Sequence, residues 1–431
     1  MLKRLVTAAF FMFVATAIVP ADISRAHRIE ANQLGETDSS EVSEFLNELA
    51  VRVARDRVAP TKASRLYANV ALAMFLASRD ADDDMLLEML KVPSIPSREK
   101  DIDPILAALA AGGSVARSLF LVPSARISFG ESRDRLLRKL SGDLASRVVN
   151  ASITYGIDIA ELVVARAGDD GFEESKKIVV MDLAAPGRWI PTQPNFQSAI
   201  DPGWGTLKTF FGASKSCTLP APPIRGTDDS PYQRAADEVA AVATQLTAEQ
   251  KSIARFWDDS RGRTGTPAGH WMSLALAAAD GNHFSAKETI RVVAHVLMVV
   301  ADAFVVSFGQ KYKYMVERPI TVLQRENSEW SSYLSTPAFP EYPSGHSTVS
   351  RASADVLTLY FGKWAFTDPG YGMTIESRDK FEVFARKFTS FHDAADEASI
   401  SRLYGGIHFP FGLEAGVVLG SCIARQTLRA S

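Results

Sequence analysis

Three short clusters in the C-terminal half of the chain carry residue types that bind and act on an oxyanion. Lys and Arg neutralise its charge, Ser and free backbone amides donate hydrogen bonds to its oxygens, and His can ligate, attack or pass a proton. The clusters are Lys311-Tyr312-Lys313-Tyr314-Met315-Val316-Glu317-Arg318-Pro319, Pro343-Ser344-Gly345-His346 and Ser401-Arg402-Leu403-Tyr404-Gly405-Gly406-Ile407-His408. Together they predict a cage for a phosphate-shaped anion with two histidines directed at it.

The first cluster places two cations, Lys311 and Arg318, seven positions apart. Seven residues are two helical turns, so both side chains would lie on one face of a helix that continued to Arg318. Two adjacent inward-facing cations repel each other, and an anion between them removes that repulsion. The alternative is a solvated charged face, since Lys313 and Glu317 are nearby.

The second cluster precedes an apolar pattern of helical period that Gly362 ends. A helix start offers unpaired N–H groups and the positive end of the helix dipole, which together favour an anion. Gly345 lets the backbone approach a ligand closely, and Ser344 adds a hydroxyl. His346 would lie in the first turn and could pass protons near neutral pH. Alternatively, His346 is a packing or capping residue.

The third cluster supplies another cation and a second imidazole. Arg402 ends a helical run, a Gly-Gly turn follows, and His408 projects just before the last helix. A neutral imidazole nitrogen can attack phosphorus or ligate a metal. The remaining histidines lack flanking partners and are interpreted as structural, with His270 beside Trp271 the first of them to test. They are His270, His283, His295 and His392.

Helical periodicity dominates the elements that must position these clusters, so the predicted class is all-α, built as two packed helical bundles. One such series of apolar residues at i, i+3, i+4 and i+7 is Val42, Phe45, Leu46 and Leu49. Thr247 and Gln250 fit a capping box that opens a helix ending near Trp257. Strand-like alternation is nearly absent outside residues 178–181.

A long helix is predicted from Ser285 to Val316, stopped by Pro319. Its apolar stretch from Thr289 to Phe308 is interrupted by Arg291, His295 and Asp302. A lipid-facing span tolerates such residues poorly, so the stretch is interpreted as a buried core helix, and no membrane span is expected in the mature chain.

Composition shifts suggest a division of the chain into two halves. An N-terminal helical domain is predicted over residues 27–185, a Pro- and aromatic-rich connecting loop over 186–229, and a C-terminal helical domain carrying the oxyanion site over 230–431. The formal net charge of −3 gives no reason to expect a nucleic-acid partner. Long apolar helix faces make a homodimer a possibility.

The first residues predict export. A basic start, an apolar run from Leu5 to Val19 and small residues at Ser24 and Ala26 resemble a secretory signal peptide spanning residues 1–26. The mature protein is therefore expected to be periplasmic or secreted, where a disulfide can form. Cys217 and Cys422 either form one or remain small buried residues.

The three clusters resemble the signature of the acid phosphatase and vanadium-dependent haloperoxidase superfamily, which includes type-2 phosphatidic-acid phosphatases. That signature is Lys, six residues, Arg-Pro; then Pro-Ser-Gly-His; then Ser-Arg, five residues, His, three residues, Asp. The surrounding sequence is similar to the bacterial secreted haloperoxidase-like branch. That likeness is carried by Trp204-Gly205-Thr206-Leu207-Lys208, Phe256-Trp257, Gly269-His270-Trp271 and Phe339-Pro340-Glu341-Tyr342-Pro343.

The resemblance implies a role for each matching position. Lys311, Arg318 and Arg402 would neutralise the oxyanion, Ser344 and the Gly345 amide would hydrogen-bond it, His408 would ligate vanadium, and His346 would act as acid and base. Lys311 would also polarise bound peroxide. One position departs from the pattern, because Gly412 stands where the superfamily has Asp. Glu414 is the carboxylate nearest in sequence that could replace it.

Three functions are compatible with these residues. The favoured one is a haloperoxidase that uses vanadate, hydrogen peroxide and a halide. The second is a secreted acid phosphatase that needs no cofactor and hydrolyses a phosphomonoester through a phosphohistidine at His408. The third is an oxyanion-binding protein without turnover, motivated by Gly412. Loss of the carboxylate at position 412 would affect phosphatase turnover most, since a histidine nucleophile needs that partner.

Overall fold

The computed structural model describes residues 39–80, 95–96, 101–120, 122–142, 144–180, 187–226, 229–370 and 384–427. In its first half the helices are α1 Ser40–Arg55, α2 Pro60–Ser78, α3 Pro104–Leu119, α4 Pro123–Ser141, α5 Ser146–Gly168 and the short α6 Phe172–Ser175. A 3₁₀ turn at Trp204–Thr206 and α7 Ala213–Ser216 follow. The predicted signal peptide lies outside the described residues, so export stays a prediction.

The second half holds the remaining elements. They are α8 Pro231–Thr244, α9 Ala248–Phe256, α10 Thr266–Gly281, α11 Ala286–Tyr314, α12 Pro319–Leu323, α13 Gly345–Phe361, β1 Phe366–Asp368, β2 Arg386–Phe388, α14 Phe391–Tyr404 and α15 Pro410–Gln426. The all-α class is confirmed. The two strands, which the sequence pattern did not predict, form only a three-residue antiparallel ladder.

Helix α11 is the centre of the packing. It packs against α2 from the first half and against α10, α13 and α15 from the second. The most apolar part of α11 has a mean hydropathy of 2.1 and is 94% buried. Its apolar composition is therefore explained by its position in the protein core. The stretch Ser146–Ser175 also has the length and apolar composition of a span and is 33% buried. The absence of a membrane span therefore stays a prediction.

Local sequence signals set the ends of several helices. The predicted capping box at Thr247 is present, and a second one, at Ser285 and Glu288, opens α11. The predicted apolar series of α1 faces the core, with Phe45 only 1% exposed. The expected end of the long helix at Val316 is wrong, because α11 stops at Tyr314 and Met315 takes a left-handed conformation. The chain then runs extended and bridges to Arg188.

The predicted connecting loop contains few regular elements in its described part, residues 187–226. Trp189 and Trp204 anchor it in the interior, whereas Phe196 is 61% exposed. The strand-like pattern at 178–181 forms no strand at residues 178–180, and residue 181 lies outside the described residues. Thr37–Ser431 forms one compact unit. The boundaries of the two helical domains within it stay predictions.

A disulfide joins Cys217 to Cys422 and settles the alternative left open by the sequence. It connects the segment after α7 to helix α15, across 205 positions of sequence. A link across so long a loop removes much conformational freedom from the unfolded chain.

Replacing both cysteines should therefore destabilise the protein. The expected loss for Cys217→Ser/Cys422→Ser is ~2–5 kcal/mol in the free energy of unfolding. Urea unfolding of oxidised wild type, reduced wild type and the double variant measures it. Equal midpoints for oxidised and reduced wild type would contradict a stabilising cross-link.

His295, on α11, is buried and its Nδ1 lies 3.0 Å from the hydroxyl of Tyr360. Burial, with a smaller contribution from Arg291, lowers the pKa of His295 to about 3. Because the unfolded chain binds this proton near pH 6.5 and the folded chain does not, the imidazole makes the fold less stable as pH falls from about 6.5 to 3.

The variant His295→Gln should weaken that dependence. Between pH 7 and pH 5, wild type should lose ~2 kcal/mol more unfolding free energy than the variant. Urea unfolding at the two pH values provides the measurement. The matched control is His392→Gln, because His392 lies on α14 with a partly exposed side chain. A variant that loses stability as steeply as wild type would exclude His295 as the cause.

Candidate oxyanion site

Lys311 lies in the last turn of α11 and is fully buried. Its ammonium donates to the backbone carbonyls of Pro340, Glu341 and Pro343 at 3.0, 2.9 and 2.6 Å. Burial, followed by the charge of Arg318, holds the pKa of Lys311 well below its usual value. The residue is thus no part of a solvated face. It fixes the segment that leads into Ser344 while adding positive charge beneath it.

Arg318 is the N-cap residue of α12 and is also fully buried. Its Nε donates to the carbonyl of Phe339 at 2.9 Å, and its Nη1 donates to the carbonyl of Ile407 at 2.7 Å and lies 3.1 Å from His408 Nε2. Burial lowers the pKa of Arg318 to about 10, although Glu341 acts in the opposite direction. Arg318 therefore reaches His408 by the extended segment after α11, not along one helix face.

The contacts of His408 fix its tautomer. A guanidinium has only donors, so Nε2 of His408 must accept from Arg318. Nδ1 then carries the hydrogen and donates to Glu341 Oε1 at 2.6 Å. Burial first, then the charges of Arg318 and Lys311, hold the pKa of His408 well below its usual value. The ring is neutral, with its Nε2 lone pair inside a cluster of cations.

Glu341 supplies the carboxylate that the sequence seemed to lack at position 412. It is fully buried, and burial raises its pKa to about 7 against the opposing charges of Lys311 and Arg318. The expectation that Glu414 was the nearest replacement is wrong, because Glu414 is exposed and interacts with Glu238. A nucleophilic His408 would therefore have the carboxylate partner that it needs.

The second cluster begins α13 as predicted. Ser344 is its N-cap and accepts from the Ser347 amide at 3.3 Å. A Cβ on Gly345 would meet nothing within 4 Å, so there is open space beside this backbone. His346 is held in its neutral form, since burial and Arg402 lower its pKa to about 3.

Arg402, on α14, completes the set of buried cations. Its Nη2 donates to the carbonyl of Trp257 at 2.6 Å, and its Nε donates to Ser401 Oγ at 3.0 Å. Burial lowers the pKa of Arg402 to about 10. Its charge lowers the pKa of both His346 and His408. The structure thus brings Lys311 and Arg318 of the first cluster close to the cation and the histidines of the other two.

A polar network behind His346 was missed by the sequence interpretation. His270, treated there as structural, is fully buried between two carboxylates, with Nδ1 3.1 Å from Asp259 and Nε2 2.8 Å from Asp368. Asp259 in turn lies 4.0 Å from His346 Nε2. In the sequence, only the neighbouring Trp271 drew attention to His270. Its two carboxylate partners are 11 and 98 positions away, so no local motif connects them to it.

His270 should stay doubly protonated well above neutral pH. Burial lowers its pKa, but Asp259 and Asp368 outweigh burial and raise it to about 10. Histidine ¹⁵N NMR of wild type should show two protonated ring nitrogens at pH 8, with His270→Gln identifying the signal. In Asp259→Asn the pKa should fall by about one unit or more. A His270 that titrates near pH 6.5 in wild type would contradict this network.

Buried polar atoms show what the cage could hold. Arg318 Nη2 and His346 Nε2 have no hydrogen-bond partner among the described residues, although both are buried. Such atoms cost free energy unless a ligand or water satisfies them. An oxyanion would accept from Arg318 Nη2 and offset the charge of Lys311, Arg318 and Arg402. By charge and donor chemistry, the residues present therefore fit an oxyanion such as vanadate or phosphate, with His408 Nε2 as a nitrogen ligand.

Comparison with known proteins shows which proteins this chain is similar to. Residues 291–431 match the family described as the VCPO second helical-bundle domain. The chain is similar to a structure described as the first bacterial vanadium-dependent iodoperoxidase, with 29% identity and a TM-score of 0.81 over 93% of this chain and 98% of that one. Together, the matched domain and the similarity to the iodoperoxidase support a relationship of this chain to the vanadium haloperoxidase superfamily.

A second haloperoxidase structure supports the fold alone. The holo-type bacterial vanadium-dependent chloroperoxidase has 16% identity and a TM-score of 0.64, over 93% of this chain and 99% of that chain. The chain has no significant match among curated proteins. The region of this chain that the family model matches, residues 291–431, contains all three oxyanion clusters.

Proposed function

We propose that this protein is a vanadium-dependent haloperoxidase that oxidises a halide with hydrogen peroxide. The observation that carries the proposal is the neutral His408, whose Nε2 lone pair lies among buried cations beside Arg318. The similarity over 93% of the chain to an iodoperoxidase supports this choice over a phosphatase. The proposal covers the cofactor and the reaction class, and it names no preferred halide.

His408 would bind the metal through Nε2, and Arg318, Arg402 and the Gly345 amide would bind its oxygens. Lys311 uses its three donors on backbone carbonyls, so it would contribute positive charge and hold the segment that carries Ser344. His346, neutral at Nε2, could accept a proton from peroxide and return it to the departing oxygen. When bound, vanadate supplies a Lewis acid that activates peroxide toward halide without metal redox.

A divided preparation tests the reaction class. Vanadate-loaded protein should oxidise iodide or bromide with hydrogen peroxide, and vanadate-free protein should not. If vanadate-free protein instead hydrolyses p-nitrophenyl phosphate and vanadate inhibits it, the protein is a phosphatase. If vanadate binds tightly and neither activity appears, it is an oxyanion-binding protein. The last two results each overturn the proposal.

A further inference from the structure

His408, the residue that would bind the metal, has a carboxylate partner that lies far before it in the sequence. Glu341 Oε1 accepts from His408 Nδ1 at 2.6 Å and from the Phe409 amide at 3.1 Å. Glu341 precedes the second cluster, whereas the superfamily signature places its carboxylate four residues after the histidine, where this chain has Gly412. The same hydrogen bond is thus made from a different part of the chain.

Glu341 can occupy this place only because residue 412 has no side chain. A Cβ on Gly412 would lie 2.1 Å from Glu341 Oε1 and 2.8 Å from Oε2. Real Cβ atoms do not approach an oxygen so closely, and both carboxylate oxygens face this position. The two residues are therefore mutually dependent, since a side chain at position 412 and the observed carboxylate of Glu341 exclude each other.

Glu341 is also held rigidly by its backbone. Its amide donates to the carbonyl of Val316 at 2.9 Å, and its own carbonyl accepts from Lys311 at 2.9 Å. A carboxylate on a fixed backbone can orient a ring, because little conformational freedom is left to lose. Glu341 Oε2 has no hydrogen-bond partner among the described residues, so Oε1 makes the described side-chain contacts.

We propose that Glu341 and Gly412 form a relocated carboxylate, in which Glu341 is the positioning residue for His408 and Gly412 provides its space. Glu341, together with the Arg318 donor at Nε2, keeps the hydrogen of His408 on Nδ1, so Nε2 carries no hydrogen where the metal would bind. This inference rests on the proposed function in one respect, namely that Nε2 of His408 binds vanadate. The tautomer and the exchange of carboxylate positions are properties of the chain itself.

Four variants separate this role from a merely structural one. They are Glu341→Gln, Gly412→Asp, the double variant Glu341→Ala/Gly412→Asp, and the control Glu414→Gln on the exposed side of α15. The vanadate dissociation constant should rise about 10- to 100-fold in Glu341→Gln, the usual effect of losing a residue that orients a metal ligand. It should rise comparably in Gly412→Asp, because the two carboxylates overlap. Glu414→Gln should bind like wild type.

The double variant is the decisive one. An aspartate at position 412, with Glu341 truncated, returns the carboxylate to the signature position and should restore vanadate affinity to within about tenfold of wild type. Thermal unfolding identifies any variant that fails to fold. If the double variant does not fold, Glu341→Gln decides the matter by affinity and tautomer.

Histidine ¹⁵N NMR of vanadate-free protein reads the tautomer without any cofactor. Wild type should carry the His408 hydrogen on Nδ1. Glu341→Gln weakens the acceptor at Nδ1 and leaves Arg318 at Nε2, so it should show a larger share of the Nε2–H tautomer than wild type. Unchanged tautomer and affinity in Glu341→Gln, or wild-type affinity in Gly412→Asp, would overturn the inference. A wild type that shows the Nδ1–H tautomer but binds no vanadate would overturn the proposed function and leave the tautomer result standing.

Discussion

His408→Ala should lose vanadate binding and halide oxidation by more than about 100-fold, which is the upper end of the cost of losing a residue that only orients a metal ligand. The reason is that Nε2 of His408 lies 3.1 Å from Arg318 Nη1 and carries no hydrogen. Truncation removes that nitrogen and leaves Glu341 buried beside a cavity. Vanadate titration and iodide oxidation with hydrogen peroxide measure the two losses.

A conservative variant separates the loss of a ligand from the loss of the fold. His408→Gln fills most of the space and can hydrogen-bond Glu341, but its amide is a poor metal ligand. It should fold and still fail to bind vanadate. His392→Ala, which changes a partly exposed histidine on α14, should leave vanadate binding and halide oxidation unchanged. Wild-type affinity in His408→Gln would exclude His408 as the ligand.

Lys311→Met should destabilise the protein and weaken vanadate binding together. The ammonium donates to three backbone carbonyls in the segment that carries Glu341 and leads to Ser344. Methionine has a similar length and no donor, so three buried acceptors lose their partner and Glu341 loses a nearby positive charge. Removing one partner of a buried charged network costs ~3–5 kcal/mol. Urea unfolding gives the stability change, and vanadate titration gives the loss of affinity.

The neighbouring lysine provides a matched control. Lys313 is exposed on the same turn of α11, and Lys313→Met should change the unfolding free energy by less than ~0.5 kcal/mol. Equal stability and equal vanadate affinity in Lys311→Met and Lys313→Met would show that the buried ammonium anchors nothing. The contrast isolates burial and hydrogen bonding, because both variants remove the same charge.

The carboxylate at His408 shows how a correct motif led to a wrong conclusion. The sequence identified Gly412 as a departure and Glu414 as the nearest candidate, because a motif is searched among neighbours in sequence. The partner is Glu341, 67 positions before His408. Its residue type was visible in the segment before Ser344, but its direction depends on the backbone contacts with Val316 and Lys311.

The sequence by itself determined the elements whose signals are local. Apolar periodicity gave α1 and α11, the Thr247 capping box gave α9, and Ser344 with Gly362 gave the two ends of α13. Hydrogen bonds between residues three or four positions apart create these features, so neighbouring residues suffice to predict them. The three oxyanion clusters were visible for the same reason.

Only the tertiary structure decided how the clusters work. The path by which Arg318 reaches His408, the three carbonyls that bind Lys311 and the two carboxylates around His270 all join residues from separate elements. Such contacts depend on how helices pack, and packing is set by the whole core, not by a local pattern. The space at Gly412 became meaningful only when Glu341 was found in it.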